Sequence, residues 1–358
     1  MNRLEILYGN EVKKIAFTVR KVSLHGEKII LKGPRHSGKT YLILDLLSTR
    51  KKESFLYIDF ADIRIDASIA AHLETFLQKH PKIELLVLEN LDFAFPLPHV
   101  KEMIITTSQK DFHLKGFEEI FLYPLDFEEF IAFNKRVSDA ETLFGQFANT
   151  GTFPRMLDVS KFAYVQTFQH LLSSYYHTPV ELEILKTFAL RQSTLVSTFA
   201  MFNLVKKHHK ISKDKFYAYT QKLQNEEVIF MVEKFGQKST QKKLYMIDFS
   251  IRGVLSFEKD FIRRFENMIF LELYKRGYEI FYHDLIDFYL PQIQTALFSS
   301  PFLTEELIYK KMQKCEKDFD ALGVKQVQII TMGTQKSFSQ NGIAYEMLPF
   351  WNWAIQLV

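Results

Sequence analysis

The chain has 358 residues, of which 47% are hydrophobic, so it is long enough for two or three domains with sizeable cores. Its formal net charge of +4 is mild and does not by itself imply nucleic acid. Neither a membrane-spanning apolar run nor a signal peptide is expected. Cys315 is the only cysteine, which excludes an internal disulfide and a cysteine-based zinc site and favours a reducing, cytoplasmic location.

The most informative segment reads Gly-Pro-Arg-His-Ser-Gly-Lys-Thr and matches the phosphate-loop pattern G-x-x-x-x-G-K-[ST]. An apolar strand over residues 28–31 precedes it, and a helix over 41–47 follows. The glycines let backbone N–H groups curl toward an anion, and the helix adds its positive end. This pattern predicts binding of ATP or GTP by eight residues: Gly33, Pro34, Arg35, His36, Ser37, Gly38, Lys39 and Thr40.

Two of these side chains have specific expected roles. Lys39 is expected to reach the β- and γ-phosphates, and the Thr40 hydroxyl is expected to hold Mg²⁺. Arg35 and His36 occupy variable positions of the pattern and are given no catalytic role.

The rest of the first domain alternates strands and helices. Apolar runs predict strands over 54–60, 83–88, 102–107 and 118–122, with a helix over 69–78. Such a pattern favours an α/β fold with a parallel sheet covered on both faces. Ligands bind beyond the carboxyl ends of such strands, where the phosphate loop, Glu89 and Ser108 all fall.

Four fragments carry a family resemblance: GPRHSGKT, LLVLEN, the segment 104–133 with its PLDFEEF run, and GTFPR at 151–155. Together they resemble predicted AAA-superfamily ATPases of bacteria and archaea, which pair a P-loop domain with an uncharacterised nuclease-like C-terminal domain. The likeness covers almost the whole chain. It implies a sheet with strand order 5-1-4-3-2. Because relatives in the wider superfamily often assemble, it also implies a protein partner or a homo-oligomer.

The hydrolytic positions depart from the family pattern. Relatives carry Asp-Glu at the third strand end, where this chain has Glu89-Asn90. Glu89 can still approach Mg²⁺ together with Thr40, but Asn90 cannot accept a proton. Losing such a base typically costs about 10²–10⁴-fold in rate, or roughly 3–5 kcal/mol. The family's Gly-Arg also reads Gly116-Phe117. We therefore expect ATP·Mg²⁺ binding with slow or absent hydrolysis.

Several residues are candidates to replace the missing groups. Asp92 lies two residues beyond Asn90 and is a substitute base. Arg155, in the GTFPR turn, is the nearest replacement for the family arginine. Ser108, or Thr107, sits where a polar sensor would touch the γ-phosphate, although an ordinary strand-end cap explains Ser108 equally well.

Residues 161–260 are predicted to form a second, winged-helix domain. Helices are expected over 165–177, 180–192 and 195–207 and from Ser212, followed by strands over 228–232 and 243–247. Such a module can place a helix in the DNA major groove. Lysines support this reading: Lys206, Lys207, Lys210, Lys213, Lys215, Lys238, Lys242 and Lys243. A solvated lysine face on a structural adaptor is the alternative, and no arginine lies between 211 and 251 to read guanine.

Residues 261–358 show an αβββαβ outline similar to the PD-(D/E)XK nuclease fold. Active nucleases of that fold bind Mg²⁺ with an Asp and a Glu-x-Lys motif. Here Asp287 fits the first position, and Glu266 or Glu272 could serve as a helix acid. The second motif should fall at 294–296, which reads Gln-Thr-Ala. Because both the carboxylate and the lysine are missing, we expect no nuclease activity.

Three functions follow, for a chain divided into domains 1–160, 161–260 and 261–358. The leading one is a nucleotide-dependent switch in which Glu89, Asn90 and Ser108 occupy the catalytic positions. The second is a working, DNA-associated ATPase that draws an acid and an arginine from elsewhere. The third is a non-enzymatic DNA-binding or scaffold protein that holds its nucleotide structurally.

Overall fold

A computed structural model describes residues 2–12, 18–134, 139–238, 241–258 and 260–357. The described chain forms two compact units. The first contains the residues up to Pro124 together with Asn225–Glu227, and the second contains the remainder. The two units are defined by contacts within the folded chain. The three domains with boundaries near 160 and 260 were inferred from the sequence and remain a prediction.

The first unit is built on a five-stranded parallel sheet with helices on its faces. Its strands are β1 (Lys28–Lys32), β2 (Phe55–Asp59), β3 (Leu85–Glu89), β4 (Glu102–Thr107) and β5 (Glu118–Phe121). Its helices are α1 (Asn2–Gly9), α2 (Lys39–Ser48) and α3 (Ala70–Lys79). All five strands were predicted to within two residues. The apolar runs of β1 to β4 are typical of strands buried in a parallel sheet, whereas β5 is a partly exposed edge strand.

The strand order is β2-β3-β4-β1-β5, which is the expected 5-1-4-3-2 order read from the other edge. This prediction is confirmed. In β3, Leu86 and Leu88 join a core cluster with Leu73 of α3, while Val87 packs on the opposite face with Ile43 of α2. Both faces are therefore covered. Because all strands run in one direction, their carboxyl ends share one edge of the sheet.

The second unit contains ten helices and nine strands among the described residues. The helices are α4 (Phe127–Phe133), α5 (Ala140–Thr150), α6 (Lys161–Ser173), α7 (Pro179–Leu190), α8 (Thr198–Lys206), α9 (Lys213–Asn225), α10 (Ile251–Leu255), α11 (Phe261–Lys275), α12 (Glu305–Leu322) and α13 (Phe350–Gln356), of which α9 ends at Asn225 in the first unit. The strands are β6 (Leu195–Val196), β7 (Ile229–Val232), β8 (Lys242–Met246), β9 (Phe281–His283), β10 (Ile286–Leu290), β11 (Thr295–Ser299), β12 (Gln326–Thr331), β13 (Lys336–Gln340) and β14 (Ile343–Pro349).

A three-stranded antiparallel sheet of order β6-β8-β7 accompanies α7, α8 and α9. The helix predicted over 195–207 begins later, at Thr198, because Leu195 and Val196 pair with β8. Ser212 was expected to cap α9, and its Oγ accepts a hydrogen bond from the Lys215 N–H at 3.2 Å. These elements have the order expected of a winged helix, and that domain type remains a prediction.

A six-stranded mixed sheet has the order β13-β14-β12-β11-β10-β9. The elements α11, β9, β10, β11, α12 and β12 follow the expected αβββαβ order, and a hairpin of β13 and β14 then extends the sheet. The strand expected to carry the second motif at 294–296 begins only at Thr295 and runs to Ser299. Residues 291–293 form a turn, and Gln294 adopts a left-handed backbone with φ 50°. The nuclease-like domain type remains a prediction.

Candidate nucleotide-binding site

The phosphate loop connects β1 to α2, and its shape requires glycine. Gly33 has φ 150°, and Gly38, with φ 102°, is the N-cap of α2. A Cβ atom on Gly33 would lie 2.1 Å from the Leu122 carbonyl oxygen. Only a residue without a side chain fits there, so the curled backbone expected from the sequence is present.

Lys39 is buried inside the loop that it follows. Its Nζ donates to the carbonyl oxygens of Gly33, at 2.6 Å, and Pro34, at 3.0 Å. Burial lowers the pKa of Lys39 to about 8. The Oγ of Ser37 is also buried and has no hydrogen-bond partner among the described residues. A buried ammonium group and an unsatisfied hydroxyl in a glycine-curled loop fit the oxygens of a polyphosphate.

Arg20, which was not predicted from the sequence, supports the phosphate loop through hydrogen bonds to backbone carbonyl groups. It is buried, and its guanidinium donates to the carbonyl oxygens of Ser37 and Tyr123, each at 2.7 Å. The two bonds tie the loop to the chain after β5. The sequence carried no signal for this role, because Arg20 lies outside every motif.

Glu89 and Thr40, the two expected Mg²⁺ ligands, lie side by side. The Thr40 hydroxyl donates to one carboxylate oxygen of Glu89, and the Tyr57 hydroxyl donates to the other. Glu89 is buried at the end of β3, and burial raises its pKa. Burial and the neighbouring carboxylate likewise raise the pKa of Tyr57. Hydroxyl and carboxylate oxygens are suitable Mg²⁺ ligands, so this pair fits the ion.

Tyr57 was also missed by the sequence analysis. It lies in β2, beside Val87 of β3 in the parallel register, two positions before the strand end. The sequence feature that could have indicated Tyr57 is its hydroxyl group in the otherwise apolar run of β2, the strand that pairs with β3 and its terminal Glu89.

Asn90, which replaces the family's second acid, points toward the neighbouring strand. Its backbone is left-handed, with φ 56°, and its N–H donates to the Thr106 hydroxyl at 3.0 Å. Its side-chain Nδ2 donates to Oδ1 of Asp59 at 2.7 Å. Asp59 ends β2 and pairs in register with Glu89. A carboxylate absent from position 90 is therefore present one strand away, at the end of a strand that no sequence motif marked.

Asp92, Ser108 and Arg35 form a cluster at the end of β4. Asp92 accepts hydrogen bonds from the Thr107 hydroxyl at 2.6 Å and from Ser108, whose N–H and Oγ lie at 3.2 and 3.3 Å. An Arg35 guanidinium nitrogen lies 3.4 Å from the same carboxylate. Asp92 thus joins the strand that carries the expected sensor to the phosphate loop, and its oxygens are engaged by these donors.

Arg155 lies in the second unit, whereas the phosphate loop lies in the first. It is exposed, in a short turn over Pro154–Met156. The rest of the GTFPR motif packs within its own unit: Gly151 has φ 74°, and a Cβ there would lie 2.5 Å from the Asp248 carboxylate. Thr152 donates to that carboxylate through its hydroxyl at 2.8 Å. The motif has a structural role, and a phosphate-binding role for Arg155 stays a prediction.

Two candidate nuclease acids lie in a network of lysines. Lys243 of β8 contacts Glu266 at 2.8 Å and Asp287 at 3.3 Å, while Lys311 of α12 contacts Asp287 at 3.3 Å. Tyr245 donates to Glu266 at 2.8 Å. Burial opposes the charge of Lys243, but the two carboxylates prevail and raise its pKa. Burial raises the pKa of Glu266. For Asp287, attraction to both lysines outweighs burial, and its pKa is lowered.

The expected second nuclease motif lies at the wrong end of its hairpin. Thr295, within the predicted triplet, is paired with Leu290, whereas the Asp287 carboxylate accepts from the Ser299 N–H at 3.0 Å. The residues beside Asp287 are therefore those over 297–299, which also lack a carboxylate and a lysine. The alternative acid, Glu272, accepts from the Phe127 N–H at 2.9 Å and pairs with Arg276 at 2.6 Å.

Among the described residues, one group of three metal-ligand side chains comes together, and it was not predicted. It consists of His283, Asp284 and Asp318, whose ligand atoms lie within 4.8 Å of one another. Lys234 is already bonded to Asp284 at 2.6 Å. Within the described ranges, no helix combines the length and the apolar character needed to cross a lipid bilayer.

Comparison with known proteins agrees with this geometry. Residues 25–95 match the model of an AAA domain, and this segment spans β1, the phosphate loop and β3. The chain is also similar to the uncharacterised protein MJ1544 of Methanocaldococcus jannaschii, at 26% identity over 98% of this chain and 94% of the relative. The match over residues 25–95 and the loop geometry thus support an AAA-type P-loop domain in this part of the chain, in agreement with the resemblance.

Two solved structures show weaker likenesses. One is the Walker-type ATPase PABY2304 of Pyrococcus abyssi, with 15% identity, a TM-score of 0.39 and coverage of 63% of this chain and 90% of that one. The other is AMPPCP-bound DnaA of Aquifex aeolicus, with 15% identity, a TM-score of 0.28 and coverage of 63% and 86%. At this level of similarity neither structure establishes a fold or a function for this chain, and support for a P-loop domain comes from the loop geometry and the AAA-domain match.

Proposed function

We propose that the protein binds ATP with Mg²⁺ and acts as a nucleotide-dependent switch that hydrolyses ATP slowly. The observation that carries this is the pairing of a buried lysine in a glycine-curled loop with the Thr40–Glu89 contact at the neighbouring strand end. The loop N–H groups and Lys39 would hold the phosphates, and Thr40 and Glu89 would hold the metal. Bound Mg²⁺ supplies positive charge to the phosphate oxygens.

Slow turnover is proposed because the second acidic position is an amide. Asn90 cannot take a proton from water, and its side chain donates to Asp59. Asp92, the substitute base considered from the sequence, accepts from the Thr107 hydroxyl and from Ser108. Turnover at about 10²–10⁴-fold below that of a P-loop enzyme with a well-placed base is therefore expected.

Switching would begin at contacts that a nucleotide must exchange. Lys39 donates to its own loop, and Glu89 is bridged by Thr40 of α2 and Tyr57 of β2. A ligand shifts a conformational equilibrium only through different interactions in the two states. Bound phosphates would draw Lys39 from the loop carbonyls, and a bound metal would compete with Thr40 and Tyr57 for Glu89. The nucleotide-bound and nucleotide-free states would then differ in their contacts at α2, β2 and β3.

The direct test is binding of labelled ATP in the presence of Mg²⁺. Wild type and Lys28→Ala, which changes an exposed lysine at the other end of β1, should bind equally, and Lys39→Ala should lose binding. Equal binding by wild type and Lys39→Ala would refute the proposal. A phosphate-release assay tests the second part: wild type should be slow and Asn90→Glu faster, whereas brisk hydrolysis by wild type would contradict the interpretation of Asn90.

We propose DNA binding by the winged-helix domain predicted over residues 161–260 as a second function. Its support is the exposed side of α9, where Lys213, Lys215 and Lys222 accompany Tyr217. The Lys213 Nζ lies 5.5 Å from the Tyr217 ring centre and 5.7 Å from that of Phe199, and both rings are exposed. Lysines beside aromatic rings suit a phosphate backbone with stacked bases.

Filter binding at two salt concentrations tests this second function. DNA retention should fall steeply with salt and weaken when Lys213, Lys215 and Lys222 are changed to Ala, but not when Lys310 of α12 is changed. Retention that ignores ATP would favour a scaffold, and DNA-stimulated phosphate release would favour a working ATPase. No DNA cleavage is expected, because residues 297–299, which lie beside Asp287 on β11, supply neither the carboxylate nor the lysine of the nuclease motif.

A further inference from the structure

The first unit places a carboxylate beside the amide that occupies the usual acid position. Asp59 is the last residue of β2, and its Cα lies in register with that of Glu89 at the end of β3. Its Oδ1 accepts hydrogen bonds from Asn90 Nδ2 at 2.7 Å and from the Ala61 N–H at 2.9 Å. These two donors fix the carboxyl group at the edge of the sheet that also carries the phosphate loop.

The second oxygen of Asp59 remains available. Among the described residues, no hydrogen bond to its Oδ2 occurs, and the residue is partly exposed, so water can reach it. The other acids at this edge are engaged. Glu89 accepts from Thr40 and Tyr57, and Asp92 accepts from hydroxyl and backbone donors at the end of β4.

We infer that Asp59 is the catalytic base of ATP hydrolysis in this protein. The inference rests on the proposed function and assigns the group that performs its slow step. Asp59 Oδ2 takes a proton from water while the water oxygen forms a bond to the γ-phosphorus. The bond between the γ-phosphorus and the oxygen bridging to the β-phosphate breaks, and its electron pair leaves with ADP. Asn90 holds Asp59 through Oδ1 and leaves Oδ2 directed to water.

A catalytic role for Asp59 also explains how the protein can have an amide, Asn90, where the family carries its second acid. With an amide at position 90, the acid is supplied from the adjacent strand, about one strand spacing of 4.8 Å away. A base set back by that distance gives a less favourable geometry than one on β3 itself, which is consistent with slow turnover rather than none.

The test compares wild type with Asp59→Asn. An amide at this position has the same shape and keeps an oxygen that accepts from Ala61 and Asn90, so it removes basicity and little else. Asp62→Asn is the matched control, since Asp62 lies in the turn just after β2 and pairs with the exposed Arg64. ATP affinity, single-turnover phosphate release and thermal melting are measured for each protein.

Asp59→Asn should lower the rate by about 10-fold or more, with ATP affinity and melting temperature unchanged, and Asp62→Asn should behave as wild type. The double variant Asp59→Asn with Asn90→Asp returns a carboxylate to β3 and should recover the rate. A merely structural role for Asp59 predicts equal rates at saturating ATP.

The outcomes distinguish failure of the Asp59 assignment from failure of the proposed function. If wild type binds and hydrolyses ATP but Asp59→Asn hydrolyses it at the wild-type rate, Asp59 is not the base and only this inference is overturned. If wild type binds ATP but releases phosphate no faster than Lys39→Ala, the slow hydrolysis in the proposed function fails together with this inference. If wild type does not bind ATP at all, the proposed function fails, and this inference fails with it.

Discussion

The pKa of Lys39 predicts how ATP affinity should depend on pH. In the protein without nucleotide, burial places this pKa at about 8, below the ordinary value of 10.5. A bound triphosphate would surround the ammonium group with negative charge and raise its pKa. The bound state then holds a proton that the free state has lost, so ATP binding takes up a proton above pH 8 and weakens as the pH rises.

The size of the effect follows from the fraction of protonated Lys39. At about pH 7 nearly all of the free protein carries the proton, whereas at about pH 9 roughly one-tenth does. Because ATP binds the protonated form, the apparent Kd should rise about tenfold between these values, or about 1.4 kcal/mol. The phosphates themselves contribute little, since their last pKa is about 6.

Calorimetry of ATP binding between pH 7 and 9 measures this effect, and repeating it in buffers of different ionisation enthalpy counts the protons taken up. Lys39→Arg is the control, because a guanidinium stays charged throughout and should remove the pH dependence from whatever affinity remains. An affinity that stays constant from pH 7 to 9 in wild type, without proton uptake, would show that the reasoning from burial is wrong.

Three further predictions concern stability. Gly33→Ala should cost more than about 3 kcal/mol and abolish ATP binding, because its Cβ would lie 2.1 Å from the Leu122 carbonyl; denaturant melts and ATP binding measure this. Tyr57→Phe removes a donor to buried Glu89, so it should cost about 1–3 kcal/mol and raise the pKa of that carboxyl further; melts and Mg²⁺ titrations measure this. Lys243→Met removes the ion pair of buried Glu266 and one of the two lysines that contact Asp287, so it should cost about 3–5 kcal/mol in melts.

Matched controls separate these effects from general sensitivity. Gly9→Ala, where an added Cβ meets nothing within 4 Å, should change stability by less than about 0.5 kcal/mol. Lys310→Met removes an exposed pair with Glu306 and should cost less than about 1 kcal/mol. If Gly33→Ala lowers the free energy of unfolding no more than Gly9→Ala, the close approach to Leu122 does not exclude a side chain at position 33. If Lys243→Met lowers it no more than Lys310→Met, the buried charge network contributes little to stability.

The sequence by itself determined the phosphate loop, the five strands of the first unit and, through the family resemblance, their order. Each rests on information that is local in the chain: glycine spacing at 33–40, and apolar runs long enough for strands but too short for helices. It also placed Thr40 and Glu89 at strand and helix ends that a parallel sheet must bring to one edge. The structure shows them in contact.

Only the tertiary structure decided which neighbours complete the site. The pairing of Asn90 with Asp59, the bond from Tyr57 to Glu89 and the support of the loop by Arg20 each join residues from separate elements, and no single segment encodes them. The start of β11 likewise follows a short turn and a left-handed residue at Gln294, a conformation that sequence patterns place poorly. Parallel strands are paired through long crossovers, so the contacts that set the chemistry come from the packing of the sheet.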